Sequence, residues 1–262
     1  MIRALYTAAT GMNAQDTNVA TISNNIANVN STGYKKSRAE FQDLLYQNLK
    51  LVGTLSPNGN QIPTGSQLGL GTKLGAVAKI YTQGDFVKTE NQLDMAISGK
   101  GFFQIAQPDG TIAYSRAGSF KINNTGLVVT AAGLPMEPAI TIPQDSLTIS
   151  IDETGNISVL QPGSVAPAVL GTIQLATFQN NAGLQALGNN NFAQTDASGP
   201  ATIGNPNSGD RGKLQQGFLE MSNVSVVEEM VNLISAQRAY ETNSRTVQTA
   251  DEMLQTANNM KR

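Results

Sequence analysis

Hydrophobic positions keep a helical period at the two ends of the chain and lose it in the middle. Met1, Leu5, Ala8, Met12, Gln15, Val19, Ile22, Ile26 and Val29 follow alternating steps of four and three, a heptad seam interrupted once by a polar residue. The spacing predicts a helix that closes near Thr32, with Gly33 as the left-handed residue beyond its end. At the other end Val226, Leu233, Tyr240, Val247 and Leu254 recur every seven residues. Small or amide residues follow most of them three places on: Ala236, Asn243, Ala250 and Ala257. Glu228 and Glu229 sit early while Lys261 and Arg262 come last, which suits the helix dipole. Ser222 or Asn223 is a suitable N-cap, with Ser225 as a competitor. A second long helix is therefore expected beyond residue 222.

Between the helices the style changes. "GFFQIAQPDGTIAYSRAGSFKINNTGLVV" predicts strands over 102–106, 112–116, 120–122 and 127–130, with turns at Asp109-Gly110, Asn124 and Gly126. "AITIP", "SLTISID", "NISVL" and "GTIQLATF" extend the series into an antiparallel sandwich or barrel-like domain. Ahead of it, Leu49 and Leu51 on one side and Leu68, Leu70 and Leu74 on the other alternate with polar or glycine positions about an Asn58-Gly59 reversal. Residues 45–71 read as a long β-hairpin or paired extended arms, with a disordered linker as the alternative. The expected fold class is α+β and multi-domain. A coiled-coil-like terminal helical pair (1–33 with 222–262) is joined to a central, mostly antiparallel β domain (77–206). A linking region (34–76 with 207–221) carries the hairpin arm between them.

A helix of about 30 residues is ~45 Å long, so two such helices make a rod rather than a compact core. Their flanks ("QDTN", "NN", "SAQ", "ETNS", "QTANN") hold amides and hydroxyls where an isolated helix would carry solubilising charge. Such groups can face other protein while keeping hydrogen-bond partners. The ends are therefore expected to pack against copies of themselves, and to be largely disordered in a free monomer.

Composition narrows the chemistry. The 262 residues carry a formal net charge of −2, which argues against a nucleic-acid or anionic-membrane partner reached by bulk electrostatics. Lys35, Lys36 and Arg38 form one tight basic cluster, read as a solvated face. With no Cys and no His, thiolate chemistry, disulfides and the usual general base and transition-metal ligand are all missing. No run approaches the apolar length of a membrane span, and "MIRALYTAATGMNAQ" lacks the apolar core of a secretory signal. If the protein acts outside the cytoplasm, it is expected to leave without a cleaved peptide. No phosphate-cradling or calcium loop is present, and no cofactor, metal or small-molecule substrate is implied. A carboxylate pair acting on a glycan is the remaining enzymatic reading. Its candidates, Asp94, Asp109, Asp145, Asp152 and Glu153, fall mostly in turns, where acids make local backbone bonds. A non-enzymatic interaction protein is the better reading.

Three long motifs carry a resemblance, in order and through nearly the whole chain. "ISNNIANVNSTGYKKSRAEFQDLLYQ" and "GFLEMSNVSVVEEMVNLISAQRAYETNSRTVQTADEMLQ" resemble the terminal signatures of the flagellar rod and hook axial proteins. "TENQLDMAISGKGFFQI" and the following "DGTIAYSRAGSFKINNTGLVVTAAG" are similar to their shared β domain. Within the family the distal-rod branch fits best, because the chain has no room for a second large β domain and the stretch 45–71 is present. Proximal rod and hook proteins are the nearest alternatives; a β-domain adhesin or glycan hydrolase is the alternative of a different class. The resemblance implies a structural subunit that polymerises helically into a rigid hollow shaft crossing the periplasm, with terminal helices inside and β domains outside. It implies as partners further copies, proximal rod proteins, the hook protein, the L-ring and P-ring proteins and the flagellar type III export apparatus. Its assembly interface would be Leu5, Ala8, Met12, Val19, Ile22, Ile26, Val29, Val226, Leu233, Tyr240, Val247 and Leu254. Its stiffening arm would include Leu49, Leu51, Asn58, Gly59, Leu68 and Leu70. The amides of "NNIANVN" would meet neighbouring subunits or the channel.

Overall fold

A computed structural model describes residues 2–50, 64–163 and 166–260. The chain divides into two compact units, one made of Met1–Ile26, Ser37–Lys79 and Ser225–Arg262, the other of Ala27–Lys36 and Ile80–Val224. Helices therefore lie at both termini and a mostly antiparallel β region between them, an α+β arrangement.

In the first unit, helix α1 spans Ile2–Ala27 and helix α2 spans Val226–Asn259. Helix α1 stops five residues short of the expected Thr32. At its end the Ser31 hydroxyl bonds the Asn28 side chain at 3.1 Å and the Ser31 N–H bonds the Asn28 carbonyl at 3.1 Å. These local bonds offer the backbone a turn in place of another helical one. Ser225, rather than Ser222 or Asn223, occupies the N-cap position of helix α2, without a side-chain capping bond. Asn223 is engaged elsewhere, accepting from the Lys36 N–H at 2.8 Å and donating to the Ile80 carbonyl at 2.9 Å.

The same unit holds two antiparallel ribbons. Ser37–Asp43 pairs with Thr72–Lys79, and Tyr46–Lys50 pairs with Ser66–Gly69. A bulge after Glu40 leaves Gly75 unpaired and sets Ala39 opposite Val77 and Phe41 opposite Leu74. The extra residue brings Leu74 and Val77 onto one face despite their spacing of three. That face is uncovered: Phe41, Leu74 and Val77 are all exposed. The second ribbon is exposed along Tyr46–Lys50 too. Its reversal at Asn58-Gly59, and Leu51 with it, lie outside the described residues. Gly71, at a φ of +116°, lets the ribbon touch α1, since a Cβ there would sit 2.2 Å from the Thr10 hydroxyl. The Thr72 N–H bonds that hydroxyl at 3.4 Å.

The second unit is built on one sheet whose neighbours run Gln185–Gly188, Asn191–Ala193, Ile112–Ser115, Phe102–Ala106, Leu175–Thr177 and Thr202–Gly204, with Met136–Glu137 also pairing with Phe102–Ala106. Phe102, Phe103, Gln104 and Ile105 are all buried, so the central strand is covered on both faces. Alternation assigns Phe103 and Ile105 to one face and Phe102 and Gln104 to the other. Phe103 and Ile105 enter an aliphatic core with Met95, Ile97, Phe120, Met136, Ile157, Ile173, Leu175 and Leu214. Phe102 enters an aromatic cluster with Tyr114, Phe192, Tyr81 and Phe178. The rings meet edge to face, at 4.7 Å for Tyr114–Phe178 and 5.7 Å for Tyr81–Phe192, the favoured geometry for aromatic pairs. Burial without a hydrogen-bond partner among the described residues pushes the Tyr81 hydroxyl up to about 12.

The expected strands over 102–106, 120–122 and 156–160 are present, and those over 112–116 and 127–130 each lose a terminal residue. "AITIP" is not a strand. Pro138 and Pro143 bracket it without donors, and Ile140 and Ile142 are instead drawn in by single bonds between the Val128 N–H and the Ile140 carbonyl and between the Ile142 N–H and the Gly126 carbonyl.

Candidate assembly interface

The two terminal helices run antiparallel within one unit. Gly11 faces Asn243 so closely that a Cβ would lie 2.9 Å from its amide nitrogen, and Asn25 donates to Glu229 at 3.2 Å. The backbones approach along a column of small side chains. Ala236 and Ala250 of α2 are buried, as are Ala8, Ala14, Thr21, Ile22 and Asn25 of α1. Small residues permit this closeness.

The structure places the expected interface residues accordingly. Ala8 and Ile22 are buried. Leu5, Met12, Val19, Ile26, Val29, Leu233, Val247 and Leu254 are half-buried. Val226 and Tyr240 are exposed. Val19 and Tyr240, with Asp16, Gln237 and Glu241, line a groove of about 290 Å³ beside the contact. Of the arm residues, Leu49 and Leu68 are exposed and Leu70 is half-buried, while Leu51, Asn58 and Gly59 lie outside the described residues.

Polar residues lock the pair. The Asn25 amide donates to the Ser37 carbonyl at 2.8 Å and accepts from the Ser37 N–H at 2.9 Å. It therefore satisfies the first ribbon strand and the buried Glu229 together. Asn25 works within its own chain, not towards a neighbour or a channel as expected for the opening amides. No sequence signal separated it from Asn24 and Asn28, because its role depends on a strand twelve residues further on.

The basic run divides. Arg38 is exposed and pairs with Glu40 at 2.9 Å, as a solvated face would. Lys35 is instead fully buried in the second unit, donating to Glu220 and, at 2.7 Å, to the Thr82 carbonyl. Glu220 also lies 3.6 Å from the Arg116 guanidinium and accepts from the Gly84 N–H at 3.1 Å. Arg116 reaches the Gly99 carbonyl at 2.6 Å and stacks over Phe102 at 5.6 Å. Desolvation holds Lys35 below its ordinary 10.5 and opposes the pull of Glu220, and it lowers Arg116 likewise. Gly33 completes the junction. Its N–H bonds the Glu220 carbonyl at 2.8 Å, and at a φ of +69° a Cβ would strike the Ala117 nitrogen at 2.4 Å. Gly33 is left-handed as expected, but it serves this close approach rather than a helix end.

Asp94, Asp109 and Asp152, three of the five carboxylates considered for glycan chemistry, make local bonds, and Glu153 reaches a distant lysine. Asp109 accepts from the Thr111 hydroxyl at 2.6 Å and the Thr111 N–H at 3.0 Å, and these bonds lower its carboxyl. Asp152 accepts from the Glu153 N–H at 2.6 Å, Glu153 pairs with Lys213 at 3.0 Å, and Asp94 accepts from Asn91 at 2.9 Å.

Comparison with known proteins agrees with the terminal and central motifs. Residues 5–35 match the family model described as "Flagella basal body rod protein". Residues 96–159 match "Flagellar hook protein FlgE/F/G D1 domain", and residues 215–260 match "Flagellar basal body rod FlgEFG protein C-terminal". The flagellar basal-body rod protein FlgG of Borreliella burgdorferi is 50% identical over the full length of both chains. That of Caulobacter vibrioides is 48% identical over 99% of this chain and all of its own. That of Buchnera aphidicola from Acyrthosiphon pisum is 45% identical over 97% of this chain and 98% of its own. The chain belongs to the flagellar basal-body rod protein family.

Proposed function

We propose that this protein is the structural, non-enzymatic subunit of the flagellar distal rod. Copies assemble helically into a hollow shaft that carries torque from motor to hook and passes exported subunits along its bore. The observation that carries this reading is the state of the terminal helices. They lie side by side along a small-residue column, yet leave most of the heptad positions half-exposed or exposed. A helical pair that finishes its burial only against other copies supports coiled-coil-like packing between subunits. The full-length identity to FlgG proteins supports the distal branch over proximal rod and hook proteins. The β unit, with its own two-sided core, would face outward, and the stretch 45–71 would stiffen the wall as an arm. The proximal rod, hook, L-ring and P-ring proteins and the type III export apparatus are the partners this position entails. Its location is the basal body, across the periplasm.

Substitution of the seam tests the reading. Ile22→Asp or Leu233→Asp should abolish assembly, seen by sedimentation and negative-stain microscopy, while the β unit keeps its cooperative unfolding. Normal shafts from either variant would overturn the role assigned to the helices.

A further inference from the structure

The β unit holds a cavity of about 360 Å³ that a purely structural subunit leaves unused. Its walls carry the amides of Asn189, Asn190 and Asn191 and the hydroxyls of Thr32, Ser115 and Ser119. Asn191 stands opposite Ser115, which stands opposite Phe103, so all three share the sheet face that carries the aliphatic core. Only 6% of Asn191 is exposed, yet its carboxamide has no hydrogen-bond partner among the described residues. A buried amide left unpaired is costly, and such a group calls for a partner. The wall around it is fixed. The Asn190 amide donates to the Thr32 carbonyl at 2.8 Å, and the Ser115 hydroxyl donates to the Asn190 carbonyl at 2.8 Å. Asn189 and Asn190 hold left-handed φ values of 51° and 59°, which Asn tolerates better than most side chains.

We propose that this cavity binds a neutral N-acetylated sugar, free or as one unit of a glycan chain. Charge selects the class first. No ionisable side chain lines the cavity among the described residues, so phosphates, carboxylates and amines would enter without a counter-charge. Backbone geometry argues against a peptide. The strand Asn191–Ala193 is paired on both sides, with Gln185–Gly188 and with Ile112–Ser115, so it offers no free edge for an added strand. The side chains suit a sugar carrying an acetamido group. A carboxamide has both donors and an acceptor, so Asn191 can take the acetamide C=O and N–H together. The methyls of Ala117, Ala131 and Ala132 line the same cavity and suit the acetyl methyl. The Ser119 and Thr32 hydroxyls remain for ring hydroxyls. The volume lies near the lower end of the ~300–1,000 Å³ range of small-ligand pockets, which fits a single substituted ring. With no carboxylate in the wall, the site binds and does not hydrolyse.

Saturation-transfer NMR on the full-length protein, below the concentration at which it assembles, tests the site. N-acetylglucosamine should bind saturably, with its acetyl methyl receiving the strongest saturation. Glucose, which lacks the acetamide, and glucosamine, which replaces it with a cation, should bind at least tenfold more weakly. Asn191→Leu should abolish binding. Ala131→Trp, on an exposed turn at the wall, should also abolish it in a chain whose melting is unchanged, which separates blockage from misfolding. Chitotetraose distinguishes the two sources. An affinity several-fold above that of the monosaccharide identifies a glycan chain, and an equal affinity identifies a free or terminal sugar. No saturable binding, equal binding of all three monosaccharides, or binding that survives both substitutions overturns the proposal, and the cavity then holds water only. The site lies wholly within the β unit, so that result leaves the rod assignment intact.

Discussion

Glu220 holds two buried cations, Lys35 and Arg116, where the segment that follows α1 meets the strand that precedes α2. Glu220→Gln would leave both without a counter-charge. A loss of about 3–5 kcal/mol is expected, the cost of breaking a buried pair from one side. Urea unfolding of the full chain measures it. Lys35→Met should cost less, because Arg116 still faces the carboxylate. The sign of the pH effect follows from Lys35. Its folded pKa is lowered, so in the window just below 10.5 the unfolded chain binds the proton more tightly and stability rises with pH. Lys35→Met should remove that part of the slope in thermal melts, and an unchanged slope would place the titration elsewhere. In the sequence Lys35 reads as solvated because its neighbours Lys36 and Arg38 share its type. Nothing local reveals that Glu220, 185 residues away, closes over it.

At the scale of elements, helices were the most legible part of the sequence. The heptad spacing located α1 and α2, and the trailing column of Ala236, Asn243 and Ala250 marks the line of closest approach. A second period runs beside it: Val227, Met230, Val231 and Ile234 follow helical steps of their own, masked by the stronger seven-residue repeat beginning at Val226. Strands were legible where a turn residue bounded them, as at Asp109-Gly110, and lost where prolines broke the ladder, as in "AITIP". The central strand "FFQIA" shows no alternation because both its faces are buried, so its two cores could not be separated by pattern. The ribbons gave their pairing but not their bulge. Their exposed face of Phe41, Leu74 and Val77 suits contact with neighbouring subunits, and a two-stranded ribbon has little stability alone. Deletion of residues 47–69 should leave assembly possible and yield a shaft that bends more easily in micrographs. Unchanged curvature would remove the stiffening role.

For the whole molecule, the division of labour follows from where burial is complete. The β unit closes two cores by itself, whereas the terminal helices meet over a narrow line and leave most of their larger apolar residues half-buried or exposed. Asn25 and Glu229 fasten α1 and α2 to each other and to the first ribbon strand. Helical reconstruction of the assembled polymer is the most direct measurement of this division. It should show α1 and α2 of successive copies packed together as the innermost layer around a channel, with the β units outside. A polymer held together by its β units, with each helical pair isolated from every other, would contradict it.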